Sequence, residues 1–308
     1  MAESIDALQL NLGTGGLMVM NVSLFFIMFG VALELTIQDF KDLLKNPKST
    51  IAGVFSQFVY LPAITYLLIV ILEPHPSFAL GMMMVAACPG GNISNFFSQL
   101  AGGNTALSVS MTAIATLLAI VATPLNFTMW ASFYGPTKDI LREVSIDFFE
   151  VFKIVVLILG VPLILGMLTR HIKPKIAGKL TKWIKGFGVL FFGAFVVVAF
   201  SMNMDNFLTY VHHVIGIVFI HNALALMGGF GIATLAGLAF EEKKSISIET
   251  GIQNSGLGLL LIFNFFDGLG GMALIAAWWA IWHIIMGFAM GWYWSIGKRS
   301  IIKVFSNA

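Results

Sequence analysis

Ser245-ISIETGIQNSGLGLLLIFNFF-Asp267 is apolar enough to lie in a bilayer, yet it carries a carboxylate, Glu249, followed by a polar, helix-ending run, Thr250-GIQNS-Gly256. A second stretch, Gly81-MMMVAACPGGNISNFFS-Gln99, is interrupted in the same way by Pro89-Gly90-Gly91. A helix broken at bilayer depth exposes N–H and C=O groups that lipid cannot satisfy, so such breaks survive only inside protein or against a water-filled cavity. Paired interrupted helices in the two halves of a chain point to the binding site of a secondary transporter.

The rest of the chain fits a membrane setting. Of 308 residues, 58% are hydrophobic and only 10% charged, with a mean hydropathy of +0.91; soluble domains carry about a quarter charged residues. The fold class expected is an all-α polytopic membrane protein. Runs long enough to span a bilayer (about 20 residues) recur nine times, at 16–36, 50–73, 77–99, 104–130, 150–170, 183–202, 209–240, 245–267 and 270–297. Nothing between them is large enough for a second domain, so residues 1–308 read as one membrane domain. The first fifteen residues contain Glu3 and Asp6 and lack the basic region of a signal peptide, so the first run reads as a true span. The single cysteine, Cys88, excludes an internal disulfide.

Charge placement sets the expected topology. Lys41, Lys45 and Lys48 follow span one, six basic residues from Arg170 to Lys185 follow span five, and Lys243 and Lys244 precede span eight. With Lys298, Arg299 and Lys303 after span nine, 14 of the 17 basic residues lie on one side. The positive-inside rule then places the N-terminus outside and the C-terminus in the cytoplasm, in a multi-pass protein of the cell membrane. Polybasic segments also suit nucleic acid, but these flank spans and read as topogenic; no nucleic-acid partner is expected, and a monomer is the expected state.

The chain repeats itself weakly. Glu34–Phe40 (ELTIQDF) resembles Ser201–Phe207 (SMNMDNF), Gln57 in span two corresponds to Asn222 in span seven, and spans three and eight are the broken pair. Residues 16–130 thus form a first repeat of four spans and 183–297 a second, joined by span 150–170. Five spans separate equivalent helices, so the halves are expected in opposite orientations, an inverted repeat suited to alternating access.

Glu249 needs a partner, because a carboxylate inside a span costs roughly 2.5–3.5 kcal/mol on insertion scales. No Lys or Arg lies in a span core, whereas Thr250, Gln253, Asn254 and Ser255 supply oxygens beside it. Hard oxygen ligands favour sodium over zinc or copper. In span three, Pro89-Gly90-Gly91 ends the first half-helix, and Asn92, Ser94 and Asn95 are expected to cap the second. Half-helix N-termini meeting at the midplane suit an anion. Ser108, Thr112 and Thr116 form a hydroxyl stripe on span four.

Cys88-PGGNIS-Asn95, Gly103-NTALSVSM-Thr112 and Glu249-TGIQNS-Gly256 together closely resemble the bile acid:sodium symporter family, and the likeness runs over nearly the whole chain. The resemblance implies panel and core domains, two discontinuous crossing helices in the core, and two sodium sites. It implies a first sodium site of Ser94, Asn95, Ser108, Thr112 and Glu249. The second would use Gln57, Glu249 and Gln253 with the backbone carbonyls of Thr250 and Ile252. An organic anion, such as a bile acid or a small carboxylate or sulfonate, would bind between the domains near Asn92, Asn254 and His283.

Three departures bear on substrate. Bacterial members often have ten helices and this chain has nine expected spans; Ile284 follows His283 where asparagine is common; and Asn92 stands where a small hydroxyl residue is expected. His212 and His213 are expected to be solvated, and His221 and Asn222 to bond between helices. A proton-coupled or antiporting carrier with Glu249 as relay is the nearest alternative. An intramembrane hydrolase using Glu249 with His221 or His283 lacks every recognisable motif. A non-transporting sensor is a further alternative.

Overall fold

The computed structural model describes residues 13–38, 41, 47–144, 148–181 and 204–306, with positions 183, 184, 186, 187 and 190. Its elements are α1 (Gly13–Ala32), α2 (Pro47–Phe55, a π turn over Ser56–Tyr60, then Leu61–Leu72), α3 (Pro76–Ala87) and α4 (Ile93–Leu100). After these come α5 (Thr105–Phe133), the short α6 (Lys138–Val144), and α7 (Phe148–Val155, a π turn over Val156–Gly160, then Val161–Ile172). The chain closes with α8 (Met204–Leu235), α9 (Phe240–Gly251), α10 (Ser255–Phe265) and α11 (Gly270–Ser306).

Among the described residues, six helices are long and apolar enough to cross a membrane: those holding Gly15–Ala32, Pro47–Leu72, Thr105–Phe133, Phe149–Ile172, Leu208–Leu235 and Gly270–Ser295. The two interrupted stretches become the pairs α3/α4 and α9/α10. The protein is therefore an all-helical, multi-pass membrane protein. Most of the sixth expected span, 183–202, lies outside the described residues.

Both π turns have the same cause. Each is followed at once by an X–Pro pair, Leu61-Pro62 in α2 and Val161-Pro162 in α7. Proline has no N–H to donate to the carbonyl four residues earlier, and the ladder widens by one residue. The N–H of Leu61 accordingly reaches the Ser56 carbonyl, and that of Val161 the Val156 carbonyl. In α2, the Phe58 carbonyl that Pro62 leaves unserved accepts a hydrogen bond from Asn126 Nδ2 of α5 at 3.1 Å.

The core is built round α3, whose residues Ser77–Ala87 are all buried. Apolar residues on every face, among them Met82, Met83, Met84 and Val85, suit a helix surrounded by others. By contrast, α2 exposes Ile51, Leu67 and Ile71, and α7 exposes Leu157, Ile164 and Leu168, as lipid-facing surfaces do. Asn21 of α1 and Asn264 of α10 exchange amide hydrogen bonds of 3.4 and 3.1 Å.

Glycines bring backbones together, as is common between membrane helices. A Cβ on Gly81 of α3 would lie 2.9 Å from both Met272 Cα and Ile275 Cβ of α11. Gly81→Val should destabilise the protein by about 1–3 kcal/mol, the usual cost of overpacking, in detergent unfolding curves. Gly15→Val, which meets nothing within 4 Å, should leave the midpoint unchanged; equal midpoints for both variants would refute the close packing.

Candidate ion and solute site

The two breaks meet. Helix α3 stops at Ala87 and α9 at Gly251, and Cys88 and Ile252 take extended backbone. The unwound segments then run antiparallel, with Gly90 paired to Gln253 as an isolated β-bridge. The N–H of Gly91 donates to the Ile252 carbonyl at 2.7 Å, and that of Asn254 to the Pro89 carbonyl at 2.8 Å. Backbone groups that lipid would strand are thus satisfied by each other. Contact is close: a Cβ on Gly91 would lie 2.9 Å from the Gln253 carbonyl oxygen, and one on Gly90 2.6 Å from Glu249 Oε2. Only glycine fits either position without displacement.

The C-termini of α3 and α9 and the N-termini of α4 and α10 therefore gather at one point. Asn254 caps α10, its Oδ1 accepting the Leu257 N–H at 3.1 Å. The caps expected for α4 are not formed: Asn92 makes no side-chain cap, and its buried Oδ1 has no hydrogen-bond partner. Ser94 turns inward instead to the Glu249 carboxylate, because a hydrogen bond to a carboxylate is roughly twice as strong as a neutral one, and Asn95 turns to the Ser108 and Thr112 hydroxyls.

Glu249 is fully buried. Its Oε1 accepts from Ser94 Oγ at 2.6 Å, Ser108 Oγ at 2.6 Å and Thr112 Oγ1 at 2.9 Å. Asn95 Oδ1 lies 2.9 Å from the same Ser108 hydroxyl and 3.2 Å from that of Thr112. Each hydroxyl carries one proton, so Ser108 and Thr112 cannot each donate to both Glu249 and Asn95. Such an oxygen-rich, proton-poor cluster has the donor chemistry of a hard cation site. Thr112 Oγ1 also lies 3.0 Å from the Ser108 carbonyl, and Thr116 Oγ1 donates to the Thr112 carbonyl at 2.7 Å. Thr116 is spent on its own helix.

The other carboxylate oxygen faces Gln57. Gln57 Nε2 stands 3.4 Å from Glu249 Oε2 and 3.5 Å from the Glu249 carbonyl, while Gln57 Oε1 accepts from the Gly90 N–H at 3.4 Å. All three bonds are long, so Gln57 loosely bridges the last turn of α9 and the unwound segment at Gly90. The Thr250 carbonyl accepts from Gln253 Nε2 at 2.7 Å, and Gln253 Oε1 is buried without a partner. The Ile252 carbonyl already holds the bridge to Gly91 with one of its two lone pairs.

Sequence reasoning missed the supports from Ser56 and Lys244, while Asn222 bonds between helices as expected. Ser56 Oγ lies 2.7 Å from Thr250 Oγ1, which itself donates to the Ile246 carbonyl. Asn222 Nδ2 donates to the Gly251 carbonyl at 2.7 Å, so the amide that the repeat matched to Gln57 also serves a break. Lys244, read as topogenic, is buried; its Nζ donates to the Ala101 carbonyl beyond α4 at 2.9 Å and lies 4.7 Å above the Phe240 ring. Its position one helical turn inside α9 gave no sign of this.

Asn92 and Asn254 are half-buried at the crossing, whereas His283 is buried on α11 with Nδ1 unpartnered. His221 Nε2 lies 2.6 Å from Thr65 Oγ1, and His212 and His213 are exposed. Among the described residues, no three His, Cys, Asp or Glu side chains converge, so the donors at the crossing are one carboxylate, hydroxyls, amides and carbonyls.

Comparison with known proteins agrees with this geometry. The Sodium Bile acid symporter family profile matches residues 21–210. The chain is 34% identical over 274 residues to the uncharacterized sodium-dependent transporter YocS of Bacillus subtilis (strain 168), covering 89% of this chain and 82% of that protein. It is 28% identical over 272 residues to the probable chloroplastic sodium/metabolite cotransporter BASS2 of Oryza sativa subsp. japonica, covering 83% of this chain and 63% of that protein. It is also 28% identical over 236 residues to the P3 protein of Bos taurus, of which it spans 48%. With the matched profile spanning most of its length, and with breaks that meet round a caged carboxylate, this chain belongs to the sodium bile acid symporter family, whose members are carriers and not enzymes.

Proposed function

We propose that this protein couples the inward movement of sodium to uptake of a small organic anion, by alternating access. The observation that carries the reading is the Glu249 cage: a fully buried carboxylate whose Oε1 is ringed by three hydroxyls, with the Asn95 carbonyl oxygen sharing two of them. The first sodium site is formed by Ser94, Asn95, Ser108, Thr112 and Glu249. The second takes Gln57, Glu249 and Gln253 with the carbonyls of Thr250 and Ile252, and the partnerless Gln253 Oε1 supports it.

Two sodium ions against one carboxylate leave about one positive charge uncompensated, which a monoanion reduces. The N-termini of α4 and α10 favour negative charge beside the cations. Asn92, Asn254 and His283 are the residues assigned to that anion, a bile acid or a small carboxylate or sulfonate. The protein sits in the cell membrane as a monomer with its N-terminus outside. Residues 16–130 and 183–297 form the inverted repeats, and panel and core domains rock about the crossing. The relatives named as sodium-dependent transporters and cotransporters support the coupling ion.

Glu249→Ala should abolish sodium-dependent anion uptake into proteoliposomes. Retained uptake would refute the ion assignment, and uptake driven by a pH gradient with choline replacing sodium would favour proton coupling. Ser108→Ala and Thr112→Val each remove one oxygen from the cage. Each should raise half-saturating sodium about five- to tenfold, equivalent to about 1–1.4 kcal/mol, with uptake recovered at high sodium. An unchanged sodium curve in both would remove the first site.

A further inference from the structure

Asn126 belongs to neither ion site, yet it is buried in the last third of α5 with both amide atoms hydrogen-bonded. Its Nδ2 donates to the Phe58 carbonyl at 3.1 Å, and its Oδ1 accepts from Trp130 Nε1 at 3.2 Å. An indole N–H only donates, so the amide has one orientation, with oxygen toward Trp130 and nitrogen toward Phe58. The Phe58 carbonyl is open to a side chain because Pro62, four residues on, has no N–H. Phe58 lies in the π turn Ser56–Tyr60, next to Gln57.

The register of that turn decides where Gln57 points. Slipping from π to α spacing moves the preceding residues by one position, about 100° round the axis. Such a rotation carries Gln57 away from Glu249 and Gly90, and Ser56 away from Thr250. Pro62 makes the wider turn possible but contributes no bond to hold it. Asn126 supplies the bond from a neighbouring helix.

We propose that Asn126 is a positioning residue for the second sodium site: by donating to the Phe58 carbonyl it holds the π turn of α2, and with it Gln57, against the crossing. The proposal rests on Gln57 being a ligand at that site. Trp130 acts one step further out, by fixing which way the Asn126 amide faces.

The test is a sodium titration of thermal unfolding on the purified full-length protein, with choline chloride keeping ionic strength constant. Asn126→Ala should raise half-saturating sodium about fivefold and lower the Hill coefficient from near two toward one. A merely structural role would lower the sodium-free midpoint and leave half-saturation where it was, which would overturn the proposal. Asn126→Ala added to Gln57→Ala should cause no further rise in half-saturating sodium, because both act through one residue; an additive rise also overturns it. Should Asn126→Ala fail to fold, Trp130→Phe carries the test, with an expected rise of about twofold and an unchanged curve counting against the proposal. If Gln57→Ala alone leaves half-saturation unaltered, the second-site reading fails, and the positioning role fails with it.

Discussion

Two main-chain hydrogen bonds, from the Gly91 N–H to the Ile252 carbonyl and from the Asn254 N–H to the Pro89 carbonyl, make the rest of this structure possible. Without them the breaks in α3/α4 and α9/α10 would leave peptide groups stranded at bilayer depth, each costing several kcal/mol. With them, four helix ends face each other across an antiparallel bridge one residue pair long. The bridge demands glycine at 91, places the Glu249 carboxylate where a side chain at 90 would be, and presents Gln253 with a free oxygen. The polar chemistry at the crossing follows from that contact.

The carboxylate is held by neighbours that each have a second use. Ser108 and Thr112 lie within reach of both Glu249 and Asn95, and Gln57 reaches both Glu249 and the Gly90 N–H through long bonds. A hydrogen bond to a charged group is worth about 1.5–3 kcal/mol, so three hydroxyls go far toward offsetting the burial of Glu249. Ser108 and Thr112 each have one proton for two acceptors. On the proposed reading a cation relieves that competition, since it needs lone pairs and no hydrogens.

Much of this was legible in the sequence, and the reasons are specific. Pro89-Gly90-Gly91 and Thr250-Gly251 are strong punctuation in apolar surroundings, so both breaks could be located; α9 nonetheless runs to Gly251, so its unwound part is Ile252–Asn254. Ser108 and Thr112 follow from four-residue spacing. Local capping propensity did not give the inward turn of Ser94, because the pull of Glu249 comes from 155 residues away; only the family resemblance grouped the two. Nor was the support of the π turn by Asn126 legible: Pro62 flags a defect in α2, but nothing local says which helix mends it. Lys244 misled because a lysine near a span end usually snorkels to water, and here a carbonyl and an aromatic ring receive it.

A joint made of peptide groups carries no side-chain identity, and this has a bearing on how such carriers diversify. Ile252 contributes main-chain atoms to the union and Cys88 flanks it, so changes at these positions can reshape the surroundings and leave the weld intact. The two glycines are different, since an added carbon at Gly91 presses on the Gln253 backbone and one at Gly90 displaces the Glu249 carboxylate. Chemical preference for cargo is thereby separated from the mechanical keystone. One frame can be refitted to new solutes by changing what projects from the half-helices, while the frame's own fastening stays constant.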